Sequence, residues 1–106
     1  PDDTDLKFAL GAFLREQKDN AAAEKVYGEI AERKGAELDE VLRARNEIAA
    51  IRIAEGKTAE AETIINDILA KDPKDSGALT KRAGFMIDKG DIDAASNVVT
   101  LEVANI

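Results

Sequence analysis

The chain has 106 residues, 44% of them hydrophobic and 35% charged, a size and balance that suit one small domain. It contains no His and no Cys, so a thiolate nucleophile, a Ser-His triad, an imidazole proton shuttle, a disulfide and a zinc site of the usual N/S type are all excluded. Its 15 basic and 22 acidic residues give a formal net charge of −7, which repels nucleic acid and anionic lipid on average, and no stretch approaches the roughly 20 apolar residues of a membrane span.

Helix formers dominate, and the aromatic residues are only Phe8, Phe13, Tyr27 and Phe85. Taken in chain order, apolar residues recur at helical spacing in six stripes. Leu6, Leu10, Phe13 and Leu14 mark the first; Ala22, Ala23, Val26, Tyr27 and Ile30 the second; Val41, Ala44, Ile48 and Ile51 the third. Ala61, Ile64, Ile65, Ile68 and Leu69 make the fourth, Leu79, Ala83, Met86 and Ile87 the fifth, and Ile92, Ala95, Val98, Val99 and Val103 the sixth. Asn20, Thr58, Asp75 or Ser76, and Asp91 can cap helix starts, while Gly35, Gly56 and Gly90 can take the left-handed conformation after helix ends. The expectation is an all-α fold of six short helices in antiparallel pairs.

Shifting the sequence by 34 residues aligns Ala49 with Ala83, Glu55-Gly56 with Lys89-Gly90, and Ala61 with Ala95. A shift of 38 places Ala23 on Ala61, so the first unit carries four extra residues, expected within RKGAELDEV. A period of this size signals a helix-turn-helix repeat. Gly11, Ala49 and Ala83, and Ala23, Ala61 and Ala95, fall where paired helices would cross closely, because helices approach to about 8 Å only over small side chains. The units run over about 4–41, 42–75 and 76–106 of a single 1–106 domain.

On these residues the chain resembles the tetratricopeptide repeat (TPR) family. Leu10-Gly11, Leu14, Ala23, Tyr27 and Ile30 are similar to its helix A and helix B positions, as are Ile48-Ala49, Gly56, Ala61, Ile65, Ile68 and Pro73, and then Leu79, Ala83, Gly90, Ala95 and Val99. Pro1 precedes Pro73 by the length of two units, so Pro1–Asp3 reads as the close of an upstream repeat and the chain as a slice of a longer array. The apolar residues Val98, Val99, Leu101, Val103 and Ile106 would then await a neighbour, and in isolation could self-associate. Arg45 and Arg52 stand where the family carries large aromatic residues and Arg82 where it carries Leu, and their guanidinium groups could reach Glu47 or Glu62.

The resemblance implies a right-handed α-solenoid whose A helices line a concave surface that binds a peptide or helix of another protein, without catalysis or cofactor. The contact residues it implies are Phe8, Ala12 and Arg15; Arg43, Asn46, Ala50 and Ile53; and Thr80, Lys81, Gly84 and Ile87. Asn46 could hold a peptide backbone through its amide. Some members grip a chaperone's C-terminal carboxylate, but Ala12, Ala50 and Gly84 stand where that grip needs Asn side chains, which argues against it here. Arg43, Arg45 and Arg52 read as a basic stripe on an acidic module, and structural spacer repeats or a recruiting domain are the alternative function. The paired acids read as solvated helix faces, and the run DKGDID lacks the spacing of a calcium loop. The mixture is similar to bacterial TPR proteins, including those of envelope and secretion systems; it fixes no compartment.

Overall fold

A computed structural model describes residues 4–88, which form five helices: α1 (Thr4–Glu16), α2 (Asn20–Glu32), α3 (Leu38–Ala54), α4 (Thr58–Lys71) and α5 (Ser76–Asp88). There is no strand among the described residues, so the all-α class holds there. The sixth expected helix, with Ala95 and the caps Gly90 and Asp91, lies outside them, as does Pro1. No described helix is long and apolar enough to cross a membrane.

Local chemistry sets the helix ends. Gly56 has φ +77°, and its N–H donates to the Ile53 carbonyl at 3.0 Å while the Lys57 N–H donates to the Arg52 carbonyl at 2.8 Å, a Schellman closure of α3. Lys18 closes α1 in the same way, with N–H groups of Lys18 and Asp19 reaching the carbonyls of Arg15 and Leu14 at 2.9 Å, although it bears a side chain at φ 63°. Two expected caps are corrected by one residue. Asp19, not Asn20, caps α2 by accepting from the Ala22 N–H at 3.2 Å, and α4 starts after Lys57 with Thr58 already helical and no side-chain cap. Asp75 caps α5 through the Ala78 N–H at 2.9 Å. The four extra residues of the first unit are Leu38–Val41, one additional turn at the start of α3, tied down by Arg33, whose guanidinium lies 3.7 Å from Glu40.

Each helix packs chiefly on the helices before and after it in the chain. The core is divided accordingly. Phe8, Ala23, Tyr27 and Ile30 cluster with Ala44 and Ile51 of α3, whereas Leu42 and Ala49 of α3 join Ala61, Ile65, Ile68, Leu69, Ala78, Leu79 and Phe85. Leu42 and Ala44 lie about 200° apart around a helix, so α3 is buried on two faces and lacks the single stripe expected of it. The small-residue crossings occur as anticipated: Ala23, Ala49 and Ala61 are fully buried, and a Cβ on Gly11 would lie 2.5 Å from the Tyr27 ring.

The first stripe needs the opposite correction. Phe8 and Gly11 of α1 are buried, but Leu6, Leu10 and Phe13 are 65%, 48% and 54% exposed. Helical periodicity identifies an apolar face without saying whether anything covers it.

Candidate functional site

The face shared by α1, α3 and α5 is held together by side chains that bridge these alternate helices. The Arg43 guanidinium stacks 3.8 Å from the Phe8 ring centroid, Arg15 donates to Glu47 at 3.0 Å, and Lys81 donates to the Asn46 amide oxygen at 3.3 Å. These contacts are individually modest, about 0.5–1 kcal/mol for an exposed cation over a ring and about 0–1 kcal/mol for a half-exposed ion pair. Together they bridge the three helices, whose places are set mainly by packing on α2 and α4.

On that face the expected contact residues form three rows in repeat register. Ala12, Ala50 and Gly84 give a central track of small residues; Ala12 and Gly84 are exposed, and a Cβ added to Gly84 would meet nothing within 4 Å. One turn further on, Arg15, Ile53 and Ile87 form a second row, in which Ile53 and Ile87 are 38% and 55% exposed. A hollow of about 560 Å³ opens where α1 and α3 end, lined by Ala12, Arg15, Glu16, Lys18, Asn20 and Ala54.

The third row, Phe8, Asn46 and Thr80, is different. Thr80 is exposed, but Phe8 is buried under Arg43. Asn46 is buried, its amide nitrogen donating to the Leu42 carbonyl at 3.1 Å and to Asp75 Oδ1 at 3.0 Å while its oxygen accepts from Lys81. Both amide hydrogens are therefore engaged within the chain, which corrects the expectation that this side chain is open to a peptide backbone. A Cβ on Gly77 would come within 3.1 Å of it, so α5 begins with glycine where it passes over Asn46.

Lys81 sits half-buried beside Asn46 at a hollow of about 350 Å³ that is also lined by Asp39, Glu47, Asp72 and Asp75. Burial lowers its pKa from the ordinary lysine value, opposed by the nearby carboxylates of Glu47 and Asp75. Burial also raises the Tyr27 phenol, reinforced by Glu47. In the sequence Asp39, Asp72 and Asp75 are indistinguishable from other surface acids, and only the alignment of Asp75 with the start of a helix singles one out.

The basic stripe of Arg43, Arg45 and Arg52 does not form. Arg43 lies about 200° around the helix from Arg45 and almost opposite Arg52. Arg52 is turned toward α2, where it pairs bidentately with Glu24 and is further surrounded by Glu60 at 3.5 Å and Glu55 at 4.0 Å. The Glu24 carboxyl is held below its ordinary pKa by the hydrogen bond from Arg52, against the opposing effect of burial. Arg45 lines a separate hollow with Ile48, Ile64, Asp67, Ala70 and Lys71. Arg82 donates to Asn66 of α4.

No group of three or more His, Cys, Asp or Glu residues is arranged to hold a metal ion among the described residues. Comparison of the chain with protein-family models, with curated proteins and with solved structures finds no match in any of the three.

Proposed function

We propose that the chain is a TPR-like array of helix pairs, wound as an α-solenoid, that serves as a non-catalytic protein-interaction module. It takes an extended peptide or a helix of another protein along the face of α1, α3 and α5. The observation that carries this reading is the register of that face: a track of small residues, Ala12, Ala50 and Gly84, runs beside the exposed aliphatic side chains of Ile53 and Ile87. Small residues let a ligand backbone approach the helices while the isoleucines offer apolar anchors. A spacer role is the second reading, favoured by Phe8, Arg43 and Asn46 being occupied by intrachain contacts.

Selection of peptides from a displayed random library separates the two. A binding groove yields ligands whose capture is lost in Ile53→Asp and Ile87→Asp variants that unfold at the same urea concentration as the parent. Failure to enrich any ligand, or ligands indifferent to both substitutions, supports the spacer. Asn46 and Arg43 are unsuitable for this purpose, since their substitution would disturb packing between α1, α3 and α5.

A further inference from the structure

The outer side of α3, turned away from the groove, carries Arg45 and Arg52. Seven residues apart, they lie within about 20° of each other around the helix, whereas Arg43 and Ala50 on the groove side stand about 200° and 140° from Arg45. The two guanidinium groups meet different surroundings. Arg52 is gripped from both flanking helices, bidentately by Glu24 of α2 and at 3.5 Å by Glu60 of α4. Because α2 and α4 run antiparallel to α3, the positions that flank Arg45 are those seven residues after Glu24 and Glu60, namely Ala31 and Asp67. Alanine thus stands where the first carboxylate would be, and Asp67 forms no ion pair with Arg45. Arg45 is half-buried and makes no hydrogen bond or ion pair with any described residue.

Arg45 opens instead on a hollow of about 450 Å³ completed by Ile48, Ile64, Asp67, Ala70 and Lys71. Ile48 packs on the cluster of α1 and α2 and Ile64 on that of α4 and α5, so the hollow lies over the seam between the two cores. Its volume falls in the range of small-molecule sites, and its make-up is of the same kind, apolar walls with a few polar groups that fix orientation. Arg45 and Lys71 against Asp67 leave one positive charge unbalanced there. We propose that this hollow binds a small monocarboxylate with an apolar body. Its carboxylate takes the fork of Arg45 as Glu24 takes that of Arg52, while its apolar part lies on Ile48, Ile64 and Ala70. Phosphate matches less well, since it offers nothing apolar to the isoleucines and brings a second negative charge beside Asp67.

The probe is para-trifluoromethylbenzoate, followed by fluorine NMR with the full chain. Saturable broadening of its resonance is expected, with a dissociation constant on the order of 1 mM for a ligand of this size. The neutral amide of the same acid keeps the apolar part and should bind at least about tenfold more weakly, as should the benzoate to Arg45→Gln. Ala31→Glu supplies within the chain the carboxylate that the register lacks, so it should exclude the probe while the urea midpoint holds or rises. Ile53→Asp and Ile87→Asp leave binding unchanged, which separates this site from the groove. Equal binding of the amide overturns the proposal, and it does so whether or not either substituted chain folds. Retention of the probe by a folded Arg45→Gln variant, equal competition by inorganic phosphate, or no saturable broadening up to about 20 mM probe overturns it as well.

Discussion

Gly11→Ala should destabilise the protein even though alanine is the better helix former. In an exposed helix interior the exchange gains about 1 kcal/mol. At Gly11 the added Cβ would stand 2.5 Å and 2.6 Å from two ring carbons of Tyr27 and 2.9 Å from its hydroxyl oxygen. Tyr27 is 1% exposed, tilted 43° against Phe8 with ring centroids 6.1 Å apart, so it has nowhere to retreat. Overpacking of this kind costs roughly 1–3 kcal/mol, with the upper end expected where the ring cannot yield, which outweighs the propensity gain and leaves a net loss of up to about 2 kcal/mol. For a domain of this size that lowers the midpoint of thermal unfolding by up to about 15 °C. Gly28→Ala and Gly84→Ala are the internal comparison, because at either position a Cβ meets nothing within 4 Å. Both should gain about 0.5–1 kcal/mol. Thermal and urea unfolding followed by circular dichroism measure all three. Gly11→Ala paired with Tyr27→Leu should show a coupling of opposite sign to the clash. If Gly11→Ala stabilises as much as Gly28→Ala, the close crossing of α1 and α2 is refuted.

Lys18→Gly should stabilise by up to about 1 kcal/mol in urea unfolding, since it relieves a side chain at φ 63° while preserving the closure of α1. Ala61→Leu should cost roughly 1–3 kcal/mol, because that methyl group is fully buried at the α3–α4 crossing; an unchanged midpoint would remove the crossing. The Glu24–Arg52 pair predicts a pH dependence. Because the folded pKa of Glu24 is depressed, its contribution is complete above the unfolded value and disappears as pH falls through the folded one. Glu24→Gln should therefore unfold more easily than the parent at pH 7, and the two curves should converge as pH drops below the ordinary glutamate range.

The sequence discloses most where one residue type alone fits. Gly11, Ala23, Ala49 and Ala61 can be placed at helix crossings because larger side chains cannot occupy them. It misleads where the same residue serves either of two environments. Leu10 and Phe13 have the spacing of a core stripe, yet nothing in that spacing records whether a neighbour is present. In α3 the reverse holds: burial on two faces erases the contrast between sides, so periodicity picks out Ala44 and passes over Leu42. The arginine stripe fails for a geometric reason that the sequence does contain, since positions 43 and 52 face nearly opposite ways around a helix. Asn46 falls on the expected surface, but its three hydrogen bonds depend in part on Asp75 and Lys81, which only the folding of α5 over α3 brings near.

Sharing α3 between two core clusters has a consequence for how the protein comes apart. α1 and α2 lean on one side of it and α4 and α5 on the other, so either outer pair can peel away while the opposite cluster stays intact. Among the described residues, amide exchange should accordingly be slowest around Ala44 to Ile51, the segment common to both clusters, and refolding should be rapid because helices pack chiefly on their neighbours in the chain.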